Sequence, residues 1–142
     1  MTMFSLAIFK KRINRFVSIV TIKNKDIEVY TPNTGRLSEL AIPGTKAIIV
    51  PSNGKYEYKL LYLYYNGFPI MIDSTYSNKL FKELLEKRIV KEITTYSLIR
   101  SEPAYKNHRF DYLIEDNRNE YFIELKSCTL AYKSVASFPD AI

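Results

Sequence analysis

Asp111, Glu124 and Lys126 are the residues of this chain whose types and spacing jointly suggest chemistry. They lie in two strand-like stretches, Phe110-Asp111-Tyr112-Leu113-Ile114 and Tyr121-Phe122-Ile123-Glu124-Leu125-Lys126, on either side of the polar turn Asp116-Asn117-Arg118-Asn119. A hairpin centred between Asn117 and Arg118 pairs Asp111 with Glu124, Leu113 with Phe122 and Arg109 with Lys126. Side chains alternate along a strand, so Lys126 points the same way as Glu124. Two carboxylates about 5 Å apart at Cβ repel, and one is driven toward protonation unless a cation intervenes. Lys126 and Arg109 supply part of that positive charge. A Mg²⁺ ion supplies it better, because it binds through one or two carboxylates and keeps several waters. A metal held there stabilises charge on a phosphate and lowers the pKa of a bound water. A lysine beside it positions that water or stabilises developing negative charge. A Glu-x-Lys triplet on a strand is common by chance, so an exposed hairpin with ordinary ion pairs accounts for these residues equally well.

The elements around the hairpin must position it. Its other face pairs Phe110 with Leu125, Tyr112 with Ile123 and Ile114 with Tyr121, and is apolar throughout. A slip of one residue would turn that face to solvent, so the register is strongly specified. Its packing partner is the core or the helix expected over residues 77–88, with Leu80, Phe81, Leu84 and Leu85 on one face. Ser74, Thr75 or Ser77 suits its start, and Lys87 and Arg88 suit its end. Strands are expected over 96–100, 108–115 and 120–130.

Before the helix the chain reads as β structure, with strands expected over 16–22, 27–30, 46–51, 56–65 and 69–72. Pro32-Asn33-Thr34-Gly35, Pro43-Gly44, Asn53-Gly54 and Asn66-Gly67 are the turns between them. Short strands at regular spacing suggest a small barrel or a sandwich. The chain is therefore α+β, with a boundary within 66–76 that divides it into residues 1–70 and 71–142. Three strands and one helix cannot cover both faces of a sheet, which points to a fragment, an oligomer or an undercounted strand.

The chain has 142 residues, a net charge of +6 and a pI near 9.3. That balance favours an anionic partner, nucleic acid before a membrane surface, although solubility alone also accounts for it. Lys10, Lys11, Arg12, Arg15, Lys23 and Lys25 all precede the first acid, Asp26. The apolar start, residues 1–9, comes before these positives, the reverse of a signal peptide, and no apolar run is long enough to span a bilayer. A cytoplasmic protein is the default expectation. Cys128 is the one cysteine, which excludes a disulfide framework and a cysteine-based zinc site; it is expected to be a small buried hydrophobe. The lone His108 is expected to be structural or exposed. Tyr56, Tyr58, Tyr62, Tyr64 and Tyr65 read as packing residues.

The motifs Pro32-Asn33-Thr34-Gly35, Pro43-Gly44, Arg109-Phe110-Asp111-Tyr112-Leu113, Ile123-Glu124-Leu125-Lys126-Ser127-Cys128-Thr129-Leu130 and Phe138-Pro139-Asp140-Ala141 follow one another in this order. Together they resemble the sugar fermentation stimulation protein A family. The resemblance implies an N-terminal OB-like β-barrel and a C-terminal domain similar to the PD-(D/E)xK nucleases. It implies a DNA-binding protein linked to regulation of sugar utilisation. By the same resemblance Asp111 takes the motif's aspartate, Glu124 its second acid and Lys126 its lysine, with Mg²⁺ or Mn²⁺ as the metal. Glu102 matches a family acidic position, either an outer metal contact or a solvated glutamate at a strand end. Lys10, Lys11, Arg12 and Arg15 become candidate phosphate contacts on the barrel, with Phe16 or nearby tyrosines as stacking candidates; a solvated basic turn is the alternative. Arg36, after a turn in which Gly35 permits positive φ, is a further candidate contact with DNA. A Mg²⁺-dependent nuclease, or an inactive fragment of one, is the other expected function. The family continues past Phe-Pro-Asp-Ala through a threonine, an Arg-Gly, a helix bearing a histidine and a further strand. Here the nuclease-like domain is expected to be incomplete, its open sheet covered by a homo-oligomeric partner or by a missing C-terminal segment.

Overall fold

A computed structural model describes residues 3–132 and 134–137. Phe138 to Ala141, which carry the last of the motifs, lie outside the described residues. The chain divides into two compact units, one from the described parts of Met1–Ser74 and Ser127–Ile142, the other from Thr75–Lys126.

The first unit begins with β1 (Ser5–Asn14), β2 (Val17–Ile22), β3 (Lys25–Tyr30), β4 (Lys46–Pro51), β5 (Tyr58–Tyr65) and β6 (Phe68–Met71). The order is β3-β2-β1-β4-β5-β6, and a parallel pairing of Tyr30 with Lys59 joins β3 to β5. Five strands thus close into a barrel, which removes the exposed edges of an open sheet. Inward positions are apolar, with Phe9, Val20, Val29, Ala47, Ile49, Leu60 and Leu63 each 1% exposed or less. Burying each large side chain stabilises the unit by about 1.5–3 kcal/mol. Residues 5–14, which contain the basic run, form a long strand and not a turn. The register against β2 skips Lys10 and Ile13, so two bulges interrupt the alternation and bend the strand.

The loop after β3 is held by side chains. The Asn33 carboxamide accepts from the Gly35 N–H at 2.8 Å and donates to the Ile72 carbonyl at 2.9 Å. Gly35 does not have positive φ; a Cβ there would meet Asn33 Oδ1 at 3.0 Å, so close approach is what favours glycine. Lys59 and the fully buried Asp73 form an ion pair at 2.5 Å, and Ser18 and Thr31 share a buried hydroxyl bond at 2.7 Å. The short hairpin of β12 (Leu130–Tyr132) and β13 (Val135–Ser137) also groups with this unit.

The second unit holds α1 (Tyr76–Lys87), a 3-10 turn (Lys91–Ile93), β7 (Ser97–Ser101), β8 (Ala104–Tyr105), β9 (His108–Arg109), β10 (Tyr112–Glu115) and β11 (Glu120–Ile123). The sheet order is β11-β10-β7. Arg88 ends the helix in the left-handed conformation, with its N–H on the last carbonyls. Tyr112 pairs with Ile123, Leu113 with Phe122 and Ile114 with Tyr121, the register expected from the sequence. Asp116 builds the turn by accepting the N–H groups of Arg118 and Asn119, each at 2.8 Å. The apolar face packs as expected: Tyr112, Ile114, Tyr121, Ile123 and Leu125 join Leu85 and Phe81 of α1 in one cluster.

Two expected strands are shorter than the pattern suggests. Residues 108–115 break at Phe110 and Asp111, because β9 pairs with β8 instead of continuing along β11. Arg109 therefore sits opposite Ala104 and not Lys126, and the Phe110 ring packs 5.1 Å from Phe122 on the other face. The stretch 120–130 likewise loses regular pairing after Ile123.

Candidate metal and DNA site

Asp111 and Glu124 stand immediately beyond the paired ends of β10 and β11. The last ladder contact runs from the Asp111 N–H to the Ile123 carbonyl at 2.9 Å. Beyond it the Asp111 side chain takes over. Its Oδ2 accepts the Leu125 N–H at 2.6 Å, and its Oδ1 accepts from Asn78 Nδ2 at 2.7 Å. Leu125 lies between Glu124 and Lys126, so this carboxylate is bonded to the backbone that carries the other two groups. Lys126 Nζ donates to Glu124 Oε1 at 2.5 Å. That hydrogen bond and Glu124's charge hold the Lys126 ammonium above its usual pKa, and Asp111's charge adds to the effect.

Asn78 was not legible as part of this group. It stands in the first turn of α1, and the Tyr112 hydroxyl donates to its carbonyl at 2.8 Å. Burial pushes the Tyr112 hydroxyl's pKa up, and the charges of Asp111, Glu102 and Glu86 push the same way. Only the fold brings Asn78 to Asp111; no local pattern marks Asn78 as its partner.

Glu102 has an exposed side chain, left-handed backbone (φ 50°) and an N–H bonded to the Asp111 carbonyl at 2.8 Å. Among the described residues no group of three or more His, Cys, Asp and Glu side chains could hold a metal ion. Asp111 keeps one lone pair on each oxygen, and Glu124 Oε2 makes no hydrogen bond among the described residues. Two such carboxylates fit an ion that retains most of its waters, as Mg²⁺ does, better than one that needs a cage.

The basic residues of the barrel divide. Lys10 pairs with Asp26 at 2.8 Å on an exposed surface. Lys11, Arg15 and Arg36 have exposed side chains. Arg12 differs: its guanidinium donates to the carbonyls of Asn14, Arg15, Asn33, Gly35 and Arg36. Those bonds use all five guanidinium donors, so the reading of Arg12 as a phosphate contact is replaced by that of a clamp between β1 and the loop after β3. His108 is exposed, as expected. Cys128 is only half-buried, and its Sγ–H donates to the Ser137 carbonyl at 2.9 Å. No helix among the described residues is long and apolar enough to cross a membrane.

A closed five-strand OB barrel followed by part of a nuclease-like unit defines the class of protein. Residues 11–72 match the domain described as the SfsA N-terminal OB domain, and residues 75–142 match the sugar fermentation stimulation protein RE domain. The chain belongs to the sugar fermentation stimulation protein (SfsA) family. It is 40% identical over 137 residues to the sugar fermentation stimulation protein homolog of Clostridium tetani, covering 94% of this chain and 60% of that protein. It is 38% identical over 143 residues to the Clostridium acetobutylicum homolog, covering 98% of this chain and 62% of that protein. The structure of Pyrococcus furiosus SfsA in complex with Ca²⁺ matches with a TM-score of 0.81 at 36% identity, over 99% of this chain and 62% of that one. The chain thus spans about 60% of the length of the relatives it matches.

Proposed function

We propose that this chain is a DNA-binding protein that engages the phosphate backbone through a divalent cation at Asp111 and Glu124, with Lys126 beside it. The supporting observation is the bond from the Leu125 N–H to Asp111 Oδ2, which ties one carboxylate to the strand end bearing the other carboxylate and the lysine. The net charge of +6 supports an anionic partner. The Ca²⁺ bound to the Pyrococcus furiosus relative supports a divalent cation, and Mg²⁺ or Mn²⁺ suits two carboxylates plus water. Glu102 is its candidate outer contact. A bound metal would supply charge neutralisation at a phosphate oxygen. Lys126, held charged by Glu124, serves as a second cation for the phosphate and not as a proton acceptor. Regulation of sugar utilisation is the role the family relationship supports for such binding.

A second reading, metal-dependent cleavage of DNA, is favoured by the same grouping of an aspartate, a glutamate and a lysine. In it Lys126 stabilises the charge that develops on the attacked phosphate. Duplex binding by fluorescence anisotropy, with Mg²⁺ and with EDTA, tests the first reading. Lys126→Ala should weaken binding about equally for all sequences and reduce the salt slope by about 1. Failure to bind any DNA at low salt would sink the DNA reading. Cleavage that persists in EDTA would reject the metal-dependent reaction.

A further inference from the structure

Two uncharged donors from different elements hold the Asp111 carboxylate. The Leu125 N–H, just past β11, donates to Oδ2 at 2.6 Å, and Asn78 Nδ2, from the first turn of α1, donates to Oδ1 at 2.7 Å. Asp111 lies between β9 and β10 and belongs to neither strand. Its main chain is fixed by its N–H on the Ile123 carbonyl and by its carbonyl, which accepts the Glu102 N–H. The carboxylate still turns about its own side-chain torsions. A bond to one oxygen tethers it; bonds to both oxygens also set its orientation.

Asn78 is well placed to do this. It is half-buried and stands on a twelve-residue helix, not on a loop. The Tyr112 hydroxyl donates to its main-chain carbonyl at 2.8 Å, and the Tyr112 ring packs 5.3 Å from Phe81 of the same helix. Groups carried on such elements hold a geometry more closely than groups on loops. Charge matters as well. Asp111 and Glu124 bring two negative charges, and Lys126, bonded to Glu124, already offsets one. A cationic donor at Asp111 would cancel the charge that attracts a divalent ion, whereas a carboxamide holds the oxygen and leaves that charge in place. It also occupies Oδ1 against Lys126, the ammonium that feels Asp111's charge.

We infer that Asn78 is a positioning residue for a divalent cation, acting through Asp111 by fixing the carboxylate so that each oxygen presents its remaining lone pair to the ion. The inference rests on the metal reading above and adds to it a residue from outside the hairpin. Groups that orient a metal's ligands are worth about 10–100-fold in metal affinity. A merely structural role, tying α1 to the sheet, would show in stability instead. The Tyr112 hydroxyl supplies the comparison, because it ties the same residue to β10 without touching the Asp111 carboxylate.

The test is calorimetric titration of the full chain with Mn²⁺ and with Ca²⁺, beside thermal melts without metal. Asp111→Asn should abolish binding. Asn78→Ala and Asn78→Leu, both good helix formers, should fold and bind each ion about 10–100-fold more weakly. Asn78→Gln, which keeps the amide donor, should bind more tightly than either. Tyr112→Phe should melt at a lower temperature and keep the wild-type affinity. Wild-type affinity in both Asn78→Ala and Asn78→Leu, with binding lost in Asp111→Asn, would overturn the role of Asn78 and leave the metal site standing. An Asn78→Gln variant no better than Asn78→Ala would also overturn it, as would a Tyr112→Phe variant that loses as much affinity as Asn78→Ala. A wild-type chain that binds neither ion, or binding indifferent to Asp111→Asn, would overturn the metal reading itself and the role of Asn78 with it.

Discussion

Replacing Arg12 with lysine separates the residue's charge from its geometry. The arginine reaches five carbonyls, at 3.2 Å for Asn14, 2.7 Å for Arg15, 2.5 Å for Asn33, 2.5 Å for Gly35 and 3.0 Å for Arg36. They belong to the end of β1 and to the loop after β3, which a planar fork can bridge and a point charge cannot. Burial, then the charge of Arg15, lowers the guanidinium pKa, but arginine remains charged throughout the accessible range. Lysine has three donors, so at least two of the five bonds are lost. Each is worth a net ~0.5–1.5 kcal/mol, and most of these carbonyls are open to water, which can replace the arginine. The expected destabilisation from Arg12→Lys is therefore about 1–3 kcal/mol. With a urea m-value of about 1–2 kcal/mol/M, the midpoint falls by roughly 0.5–3 M. DNA affinity should change by less than the factor of about ten that removing a direct phosphate contact would cost. A variant that unfolds at the wild-type urea concentration yet loses DNA binding would refute the clamp and return Arg12 to the phosphate-contact group.

Two other perturbations follow from the same geometry. Asp73→Asn leaves the Lys59 ammonium without its buried counter-ion; because Lys59 is 25% exposed, the loss should be about 2–4 kcal/mol, toward the low side of a buried pair. Urea denaturation measures it, and a loss under about 0.5 kcal/mol, the level of an ordinary surface change, would refute the argument. Asp116 has its carboxyl pKa lowered, first by the Arg118 N–H, then by the Asn119 N–H, with a smaller contribution from the Tyr121 hydroxyl. A depressed carboxylate stabilises the fold above the unfolded pKa of about 3.9 and loses that contribution as pH falls through the folded value. The β10–β11 turn should therefore loosen only in acid, and NMR titration of Asp116 should give a midpoint below about 3.9. A midpoint at or above that value would show that the turn bonds do not persist in solution.

Much of the second unit was legible because its signals are periodic. Tyr112, Ile114, Tyr121 and Ile123 alternate with their neighbours, and one register alone puts them all on the side of Phe81 and Leu85. Asp116-Asn117-Arg118-Asn119 centres that register by an interaction spanning only three residues. The pattern misled where the chain stopped following it. Arg109 and Phe110 continue the alternation on paper, but the β8–β9 hairpin draws them away before they reach Lys126. In β1 the bulges at Lys10 and Ile13 broke the period, so a ten-residue strand read as a basic turn.

The amino-acid sequence by itself determined the helix, the strands β2 to β5 and the register of the β10–β11 hairpin. These depend on neighbours in the chain or on a period of two, and both are written locally. The tertiary structure alone decided that β3 meets β5 at Tyr30 and Lys59, that Asn78 holds Asp111, and that Arg12 grips the loop at residues 33–36. Each of these joins groups more than twenty residues apart through single polar contacts or one ladder pair. A lone contact of that kind leaves no repeating signal in the chain, because its energy comes from geometry that exists only once the cores around it have closed.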